Sequence, residues 1–412
     1  MRVRVELQEF SAEAFASLQR KDQRYWGSVY LRGLMLDGER KSVEPISQRL
    51  PEADRQSLQQ FLADSPWQVA PVRAAMARHM SEVIKPEAVV FDDTGFPKCG
   101  LESPGVARQY SGTLGKTGNC QVAVTTHLAT DTASYPANWR LFLPEAQWDP
   151  ASPKCSDAKA VTARRARCKI PDGQVHREKW RLALDSLDEL HAWGVRVPLA
   201  LADAGYGDCF EFRQGLAERD LHYVVGVTAT LVAHPAAAER VQLPYPGTGR
   251  RKGPAYPDTP QSLAALAAAA GPRAARTVAW REGTKTRSGR LRTLRSRFVA
   301  IRVRPAGLAI QRHYQGADLP ACWLLAEWPG GQDAPVQFWL SNLRADTPLK
   351  TLVRLAKLRW RIEHDYREMK TGLGLDHFEG RTWTGFHHHV TCVALAHAFL
   401  TRLRLGKDPA VA

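Results

Sequence analysis

VRVPLALADAGYGDCFEFRQGLAERDLHYVVGV, residues 195–227, carries the pattern that indicates the fold class. Two apolar runs rich in branched residues, at 195–203 and 222–227, flank a segment of helical spacing near 207–219. Strand, helix and strand in that order are typical of α/β proteins, because parallel neighbours need a crossover connection. Long apolar runs also indicate that both faces of the sheet are buried. We therefore predict a mixed or parallel sheet covered by helices.

Turn residues and changes in composition divide the whole chain into four predicted parts. Short segments of helical spacing at the N-terminus are broken by Asp37-Gly38, Pro51 and Pro66. Such helices either form a helix-turn-helix-like unit that binds DNA or only pack on the core. The four parts are a helical N-terminal domain at 1–85, the first part of the α/β core at 86–228, a β-rich basic insertion at 229–335, and the second part of the core with C-terminal helices at 336–405.

Composition restricts where the protein can act. The chain has 412 residues and is 44% hydrophobic, which is enough for two or three domains. No run of 18 apolar residues occurs, and the N-terminal MRVRVELQEFSAEAF has charges where a signal peptide needs apolar residues. Seven scattered cysteines without a C-x-x-C favour reduced thiols over a disulfide framework. We therefore predict a cytoplasmic protein that does not contact a membrane.

The positive charge of the chain is large and unevenly distributed. The formal net charge is +15, which favours a polyanionic partner such as nucleic acid. Between residues 250 and 304, fourteen Lys and Arg are opposed only by Asp258 and Glu282. A merely solubilising surface usually mixes both signs, so we predict that this segment contacts phosphates. The basic residues predicted to bind DNA there are Arg250, Arg251, Lys252 and Lys285.

Lys116 lies in the string Gly115-Lys116-Thr117, which resembles the end of a P-loop. The first glycine of that motif would stand at position 110, which is Tyr110, and a strand-like run follows where a helix is needed. We therefore exclude ATP binding and predict that Lys116 contacts DNA.

Three carboxylates mark the predicted chemistry. FDDTGFPK at 91–98 places Asp92 and Asp93 at the end of an apolar strand, and LALADAGYGD at 199–208 places Asp203 at the end of another. The carboxyl ends of strands in an α/β sheet are where ligands gather. Side chains alternate along a strand, so only one of Asp92 and Asp93 can face such a site. Glu363 supplies the third acid from a predicted helix at 348–370.

The helical stretch LRWRIEHDYREMK, residues 358–370, places Arg359, Glu363, Tyr366 and Lys370 on one face. An exposed helix with ordinary ion pairs is the plain alternative. Carboxylate oxygens, however, suit Mg²⁺, and two such ions about 3.5–4 Å apart can promote phosphodiester chemistry. Arg359 and Lys370 would then hold the phosphate backbone.

The series FDDTG, ADAGYGD and RWRIE with a lysine seven residues after the glutamate resembles the DDE transposases of bacterial insertion sequences. It is similar to the branch with a Tyr-x2-Arg-x3-Glu-x6-Lys signature. The resemblance implies an RNase H-like mixed sheet flanked by helices, with Asp93, Asp203 and Glu363 as the metal-binding triad. One departure is Ala356, which stands where the signature has tyrosine. Tyr366 lies on the same predicted face and is a candidate substitute.

This resemblance implies a DNA transposase that cleaves transposon ends and joins them to target DNA. It implies two Mg²⁺ ions, with Mn²⁺ as a substitute, and double-stranded DNA partners, namely terminal inverted repeats and target DNA. A homodimer on DNA in the nucleoid of a bacterial cytoplasm is the expected setting. Two alternatives remain at this point: a nuclease of the same fold that does not join strands, and a DNA-binding protein that no longer does chemistry.

Overall fold

The computed structural model describes residues 2–242, 244, 253–285 and 291–407. Its chain folds as two units, one formed by Met1–Val197 with Trp360–Ala412 and the other by Pro198–Arg359. Asp93 and Glu363 therefore belong to the first unit, whereas Asp203 belongs to the second.

Five helices begin the first unit, and the three predicted breaks separate the last four of them. Asp54 caps one of them, because its carboxylate accepts a hydrogen bond from the backbone N–H of Ser57 at 2.7 Å. Two others approach closely at Gly33, where a Cβ would lie 2.3 Å from the Ile46 side chain. The helices are α1 (Arg2–Ala14), α2 (Lys21–Met35), α3 (Val43–Arg49), α4 (Arg55–Ala63) and α5 (Val69–Ile84).

An antiparallel group of four strands follows in the same unit. The strands are β1 (Ala88–Pro97), β2 (Ala107–Ser111), β3 (Lys116–Ala129) and β4 (Ser134–Leu141). β3 is the central strand: it pairs with β1 along one edge, from Ala88↔Ala129 to Pro97↔Cys120, and with β2 and β4 along the other. Three helices come next, α6 (Glu145–Trp148), α7 (Ala158–Arg167) and α8 (Lys179–Ala192). A buried hydrogen bond of 2.7 Å between the Ser186 and Thr126 hydroxyls joins α8 to β3.

The second unit begins with the strand, helix and strand predicted from 195–227. β5 (Leu199–Ala202) and β6 (His222–Val227) are parallel, with α9 (Ala204–Gly207) and α10 (Phe210–Ala217) between them. The crossover passes close to β6 at Gly207, where a Cβ would lie 1.9 Å from the Gly226 carbonyl oxygen. Only glycine fits there.

The rest of the second unit is rich in strands, in the order β5-β6-β12-β11-β10-β7-β8, with β9 paired to β10. Apart from β5 and β6, these neighbours are antiparallel, so the sheet is mixed. The elements are β7 (Val232–Pro235), β8 (Gln261–Ser262), α11 (Leu263–Ala269), a 3₁₀ turn (Pro272–Ala274), β9 (Arg276–Lys285), β10 (Leu291–Ala306), α12 (Leu308–His313), β11 (Cys322–Glu327), β12 (Gln337–Ser341) and α13 (Leu349–Leu358).

Two helices complete the first unit, α14 (Trp360–Thr371) and α15 (Trp383–Lys407). The helix predicted at 348–370 is therefore two helices, α13 and α14, with Arg359 between them in an α conformation. α15 packs against α2, α4, α5 and β4, and burying each large apolar side chain there contributes about 1.5–3 kcal/mol. Mixed strands flanked by helices confirm the predicted α/β class and are consistent with an RNase H-like fold. Among the described residues, no helix has both the length and the apolar character needed to cross a membrane.

Candidate active site

Asp93 lies inside β1, opposite Val124 of β3. The prediction that it ends the strand is wrong, because pairing with β3 continues to Pro97. Its side chain is 30% exposed, and its Oδ2 accepts a hydrogen bond from the Lys179 ammonium of α8 at 2.6 Å. Asp92 is only 9% exposed, and its Oδ1 accepts the backbone N–H of Asp93 at 2.8 Å. The two neighbouring carboxylates thus have different surroundings, and Asp93 is the more accessible to a ligand.

Lys370 joins the last turn of α14 to β1, the strand that contains Asp93. Its ammonium donates to the Gly95 carbonyl oxygen at 2.9 Å and to the Thr113 hydroxyl at 2.7 Å, and lies 5.8 Å from the centre of the Phe96 ring. Burial lowers the pKa of Lys370 from its ordinary value. Since Gly95 is two residues beyond Asp93, this contact fixes one end of α14 beside the predicted site.

Tyr366 contacts β3 one turn earlier in α14. Its hydroxyl is hydrogen bonded to the Thr125 hydroxyl, which in turn donates to the Asp92 carbonyl oxygen at 3.3 Å. Its ring meets the His127 ring edge-on, with centroids 5.3 Å apart. The hydroxyl of the candidate substitute tyrosine therefore lies next to β1. Ala356, at the position of the signature tyrosine, is buried in α13 of the second unit.

Glu363 is an exposed residue in the first turn of α14. It precedes Tyr366 by three residues and Lys370 by seven, so the three side chains share one face of the helix. That face lies toward β1 and β3, because Tyr366 and Lys370 both contact those strands or the turn between β2 and β3. The first unit thus brings Asp93 and the helix of Glu363 to the same two strands.

Asp203 occupies the position predicted for it, directly after β5 in the second unit. It caps α9, since its Oδ1 accepts the backbone N–H of Gly205 at 2.9 Å. Arg359 is the last residue of the same unit and caps the C-terminus of α13.

The donor chemistry of these residues fits a divalent metal ion. Asp93 and Glu363 offer only carboxylate oxygens, which hard cations such as Mg²⁺ prefer. Across the described residues, however, no group of three or more His, Cys, Asp or Glu side chains is gathered tightly enough to hold a metal. The Lys179 ammonium instead neutralises Asp93.

The DNA contacts predicted outside this region stay predictions. Lys116 begins β3 and is exposed. Arg250, Arg251 and Lys252 lie outside the described residues, as does the side chain of Lys285 at the end of β9. Two arginines of the basic insertion, Arg302 and Arg304, donate to the backbone carbonyls of Ala321 at 2.7 Å and Ala236 at 3.0 Å. Part of the positive charge in the insertion therefore holds its own chain together.

A buried network behind α14 was missed by the sequence analysis. Asp365 accepts hydrogen bonds from the Ser134 hydroxyl at 2.6 Å and from His127 Nδ1 at 3.1 Å. His397 of α15 lies with Nε2 3.5 Å from Asp365 and 3.4 Å from Glu368. Arg404 pairs with the other oxygen of Glu368. The network connects α14 to β3, β4 and α15.

A signal for this network was present in the sequence. Ile362, Asp365 and Met369 lie on the same face of α14 and are fully buried. An acid between two apolar residues at helical spacing predicts a carboxylate that must find partners inside the protein, because an unpaired buried charge is costly.

Protonation of His397 depends on Asp365 and Glu368. Burial alone would lower the pKa of His397, but the nearby negative charges of Asp365 and Glu368 outweigh it and raise this pKa to about 9. Burial likewise opposes ionisation of Glu368, yet His397 and Arg404 lower its pKa to about 2. Near neutral pH the network therefore holds a buried imidazolium between two carboxylates.

The raised pKa of His397 predicts that stability falls in alkaline solution. A raised pKa stabilises the fold fully below the ordinary value of 6.5, and this contribution disappears as pH rises through about 9. Urea unfolding measured from pH 6.5 to 9.5 should show a steadily decreasing free energy of unfolding. A His397→Gln variant should lose this part of the pH dependence; an equal slope in both proteins would contradict the assignment.

The three consecutive histidines at the start of α15 have separate partners. His387 contacts Arg73 of α5, with the facing nitrogens 3.3 Å apart. His388 lies between the carbonyl oxygens of Leu62 and Trp67, at 2.8 and 2.9 Å. His389 is 2.9 Å from the Tyr30 hydroxyl. They join the N-terminal helices to α15 and do not converge on a common ligand.

The fold, with Asp93 in β1 and Asp203 directly after β5, agrees with a comparison against known protein families. This chain belongs to the DDE superfamily of endonucleases, whose family model matches residues 13–287. The matched region includes Asp93 and Asp203 and ends before Glu363. Endonucleases of this superfamily use divalent metal ions. The DDE family recognised from the sequence motifs is therefore confirmed.

Similarity to one known protein agrees with this family. The chain is 28% identical over 198 residues to a protein of Microchaete diplosiphon described as a probable transposase for insertion sequence element IS701. The similar region covers 47% of this chain and 46% of that relative. The chain thus spans about half the length of the curated relative that it matches.

Proposed function

We propose that this protein is a DNA transposase that cleaves transposon ends and joins them to target DNA. The observation that carries the proposal is the attachment of α14 to β1, through Lys370 and the Gly95 carbonyl oxygen at 2.9 Å. It brings the helix of Glu363 to the strand of Asp93, as a shared catalytic site requires. Similarity to an insertion-sequence transposase supports the same activity.

Asp93, Asp203 and Glu363 are the residues proposed to hold two divalent ions, Mg²⁺ or Mn²⁺. Bound ions of this kind supply positive charge at the attacking and leaving oxygens of a phosphodiester. The chain's own contribution is to fix the carboxylates: β3 holds β1 over ten paired residues, and the network of Asp365 fixes the rotation of α14. Rigid support of this kind keeps ligands close to the productive geometry.

Basic residues would bind the DNA backbone around these acids. Lys370 already has its ammonium beside β1, and Lys116 is exposed at the start of β3. Arg359, Tyr366 and the basic insertion complete the proposed DNA contacts, with Arg250, Arg251, Lys252 and Lys285 as its predicted members. Phosphate contacts are independent of base sequence, so they position the DNA but do not select it. We propose that two copies bind the two ends of the element, in the nucleoid of a bacterial cell.

An assay that detects joined DNA products tests this function. The purified protein would be incubated with Mg²⁺ and two labelled fragments that carry the DNA flanking its own coding region. We expect nicks at the element ends, followed by products in which a labelled end is joined to a second DNA. Nicks without joined products would identify a nuclease, and binding without either reaction would identify a protein that has lost the chemistry.

A further inference from the structure

Lys179 is an additional charged residue beside the proposed metal-binding acids. It is the first residue of α8, and its ammonium lies 2.6 Å from Asp93 Oδ2. The ammonium is also 5.5 Å from the centre of the Phe142 ring, an aromatic face that favours a cation. Neither the motifs nor the charge pattern of the sequence indicated this residue.

The position of Lys179 is unusual for a lysine. The first turn of a helix carries partial positive charge, so it favours acids over cations, and α8 has no acid in that turn. A lysine there is opposed by the helix dipole, and its partner Asp93 provides the compensating charge. The pair is also better protected than an ordinary surface pair: the side chains of Lys179 and Asp93 are 33% and 30% exposed.

A pair of Lys169 and Asp64 offers a direct comparison within the same unit. It has nearly the same length, 2.7 Å, but its side chains are 56% and 55% exposed. Exposed pairs of this type contribute little to stability. The Lys179 pair differs because its carboxylate is one that the proposed function assigns to a metal ion.

We propose that Lys179 is a removable counter-charge for the active site: it holds Asp93 before a divalent ion binds, and then releases the carboxylate and binds a DNA phosphate. The inference rests on the proposed function, because it assumes that Asp93 is a metal ligand. An ammonium and a metal ion compete for the same carboxylate oxygen. The released lysine has a flexible four-carbon chain, which can reach a nearby phosphate as a point charge.

The direction in which the Mn²⁺ affinity changes on replacing Lys179 distinguishes this role from one in which Lys179 only supports Asp93. If Lys179 competes with the metal, Lys179→Met should bind Mn²⁺ more tightly in the absence of DNA, by about three- to fivefold, the scale of a partly exposed ion pair. If Lys179 only supports Asp93, the same variant should bind Mn²⁺ more weakly. Loss of the phosphate contact should slow DNA cleavage at saturating Mg²⁺ by about 10- to 100-fold, the scale of one hydrogen bond to a charged group.

The experiment uses the full chain and measures Mn²⁺ affinity by electron paramagnetic resonance alongside the cleavage rate. Lys169→Met is the matched control and should leave both quantities unchanged, whereas Lys179→Arg should recover part of the cleavage rate. Unchanged or weaker Mn²⁺ binding by Lys179→Met, or an unchanged cleavage rate, would overturn the proposal. Asp93→Asn tests the underlying function separately: if that variant also binds Mn²⁺ and cleaves normally, the metal assignment itself is wrong.

Discussion

Replacement of Asp93 with Asn should abolish metal-dependent DNA cleavage while leaving the protein folded. The change keeps the shape of the side chain but removes the negative charge that a divalent ion needs. Loss of an outer-shell partner costs up to about 100-fold in activity, so loss of a direct ligand should exceed that factor. Cleavage of an end-labelled DNA fragment, followed over time on a denaturing gel, measures the effect.

Asp64→Asn is the matched control for this experiment. Asp64 also pairs with a lysine, at 2.7 Å, but its side chain is 55% exposed and it is not among the proposed ligands. We expect normal cleavage by this variant and normal circular dichroism for both. Near-normal cleavage by Asp93→Asn would show that the triad has been assigned to the wrong residue.

Replacement of Asp365 with Ala should strongly destabilise the first unit. It removes a fully buried carboxylate that accepts hydrogen bonds from Ser134 and His127 and lies 3.5 Å from His397. Breaking a buried ion pair costs about 3–5 kcal/mol, because the remaining charge stays buried without its partner. Urea unfolding at pH 7, monitored by tryptophan fluorescence, provides the measurement.

Asp64→Ala again serves as the comparison, since an exposed pair should contribute no more than about 1 kcal/mol. Asp365 and Asp64 thus differ in burial, but each lies beside a basic side chain. If Asp365→Ala destabilises the protein no more than Asp64→Ala does, the buried network is not held together by charge.

Much of the fold could be predicted from local patterns. The strand, helix and strand at 195–227 and the helices before residue 85 follow directly from apolar spacing and from Pro and Gly breaks. The same patterns placed Asp203 at the end of a strand, but they ended the strand of Asp93 four residues before Pro97, where β1 ends. The helical period correctly placed Tyr366 and Lys370 on one face of α14, and both contact the strand region there.

Other features depend on long-range packing and could not be read from spacing. Lys179 reaches Asp93 only because α8 packs on β3. The two residues are 86 positions apart in the sequence, and no local pattern predicts their contact. The interruption at Arg359 also escaped prediction, because neither Pro nor Gly marks it and its backbone stays α-helical. Asp365, by contrast, can be predicted from local spacing, because its position between Ile362 and Met369 on one helical face indicates a buried carboxylate.

The pairing of β1 with β3 limits how this protein can change over evolution. The two strands pair without interruption from Ala88↔Ala129 to Pro97↔Cys120. Insertion or deletion of a single residue in either strand would turn the following side chains to the opposite face. Relatives can therefore vary in length within exposed turns such as residues 99–101, whereas the strands themselves can change only by substitution. That exposed turn is the natural place to insert a tag or label without disturbing Asp93, because residues 103–106 of the same connection are buried.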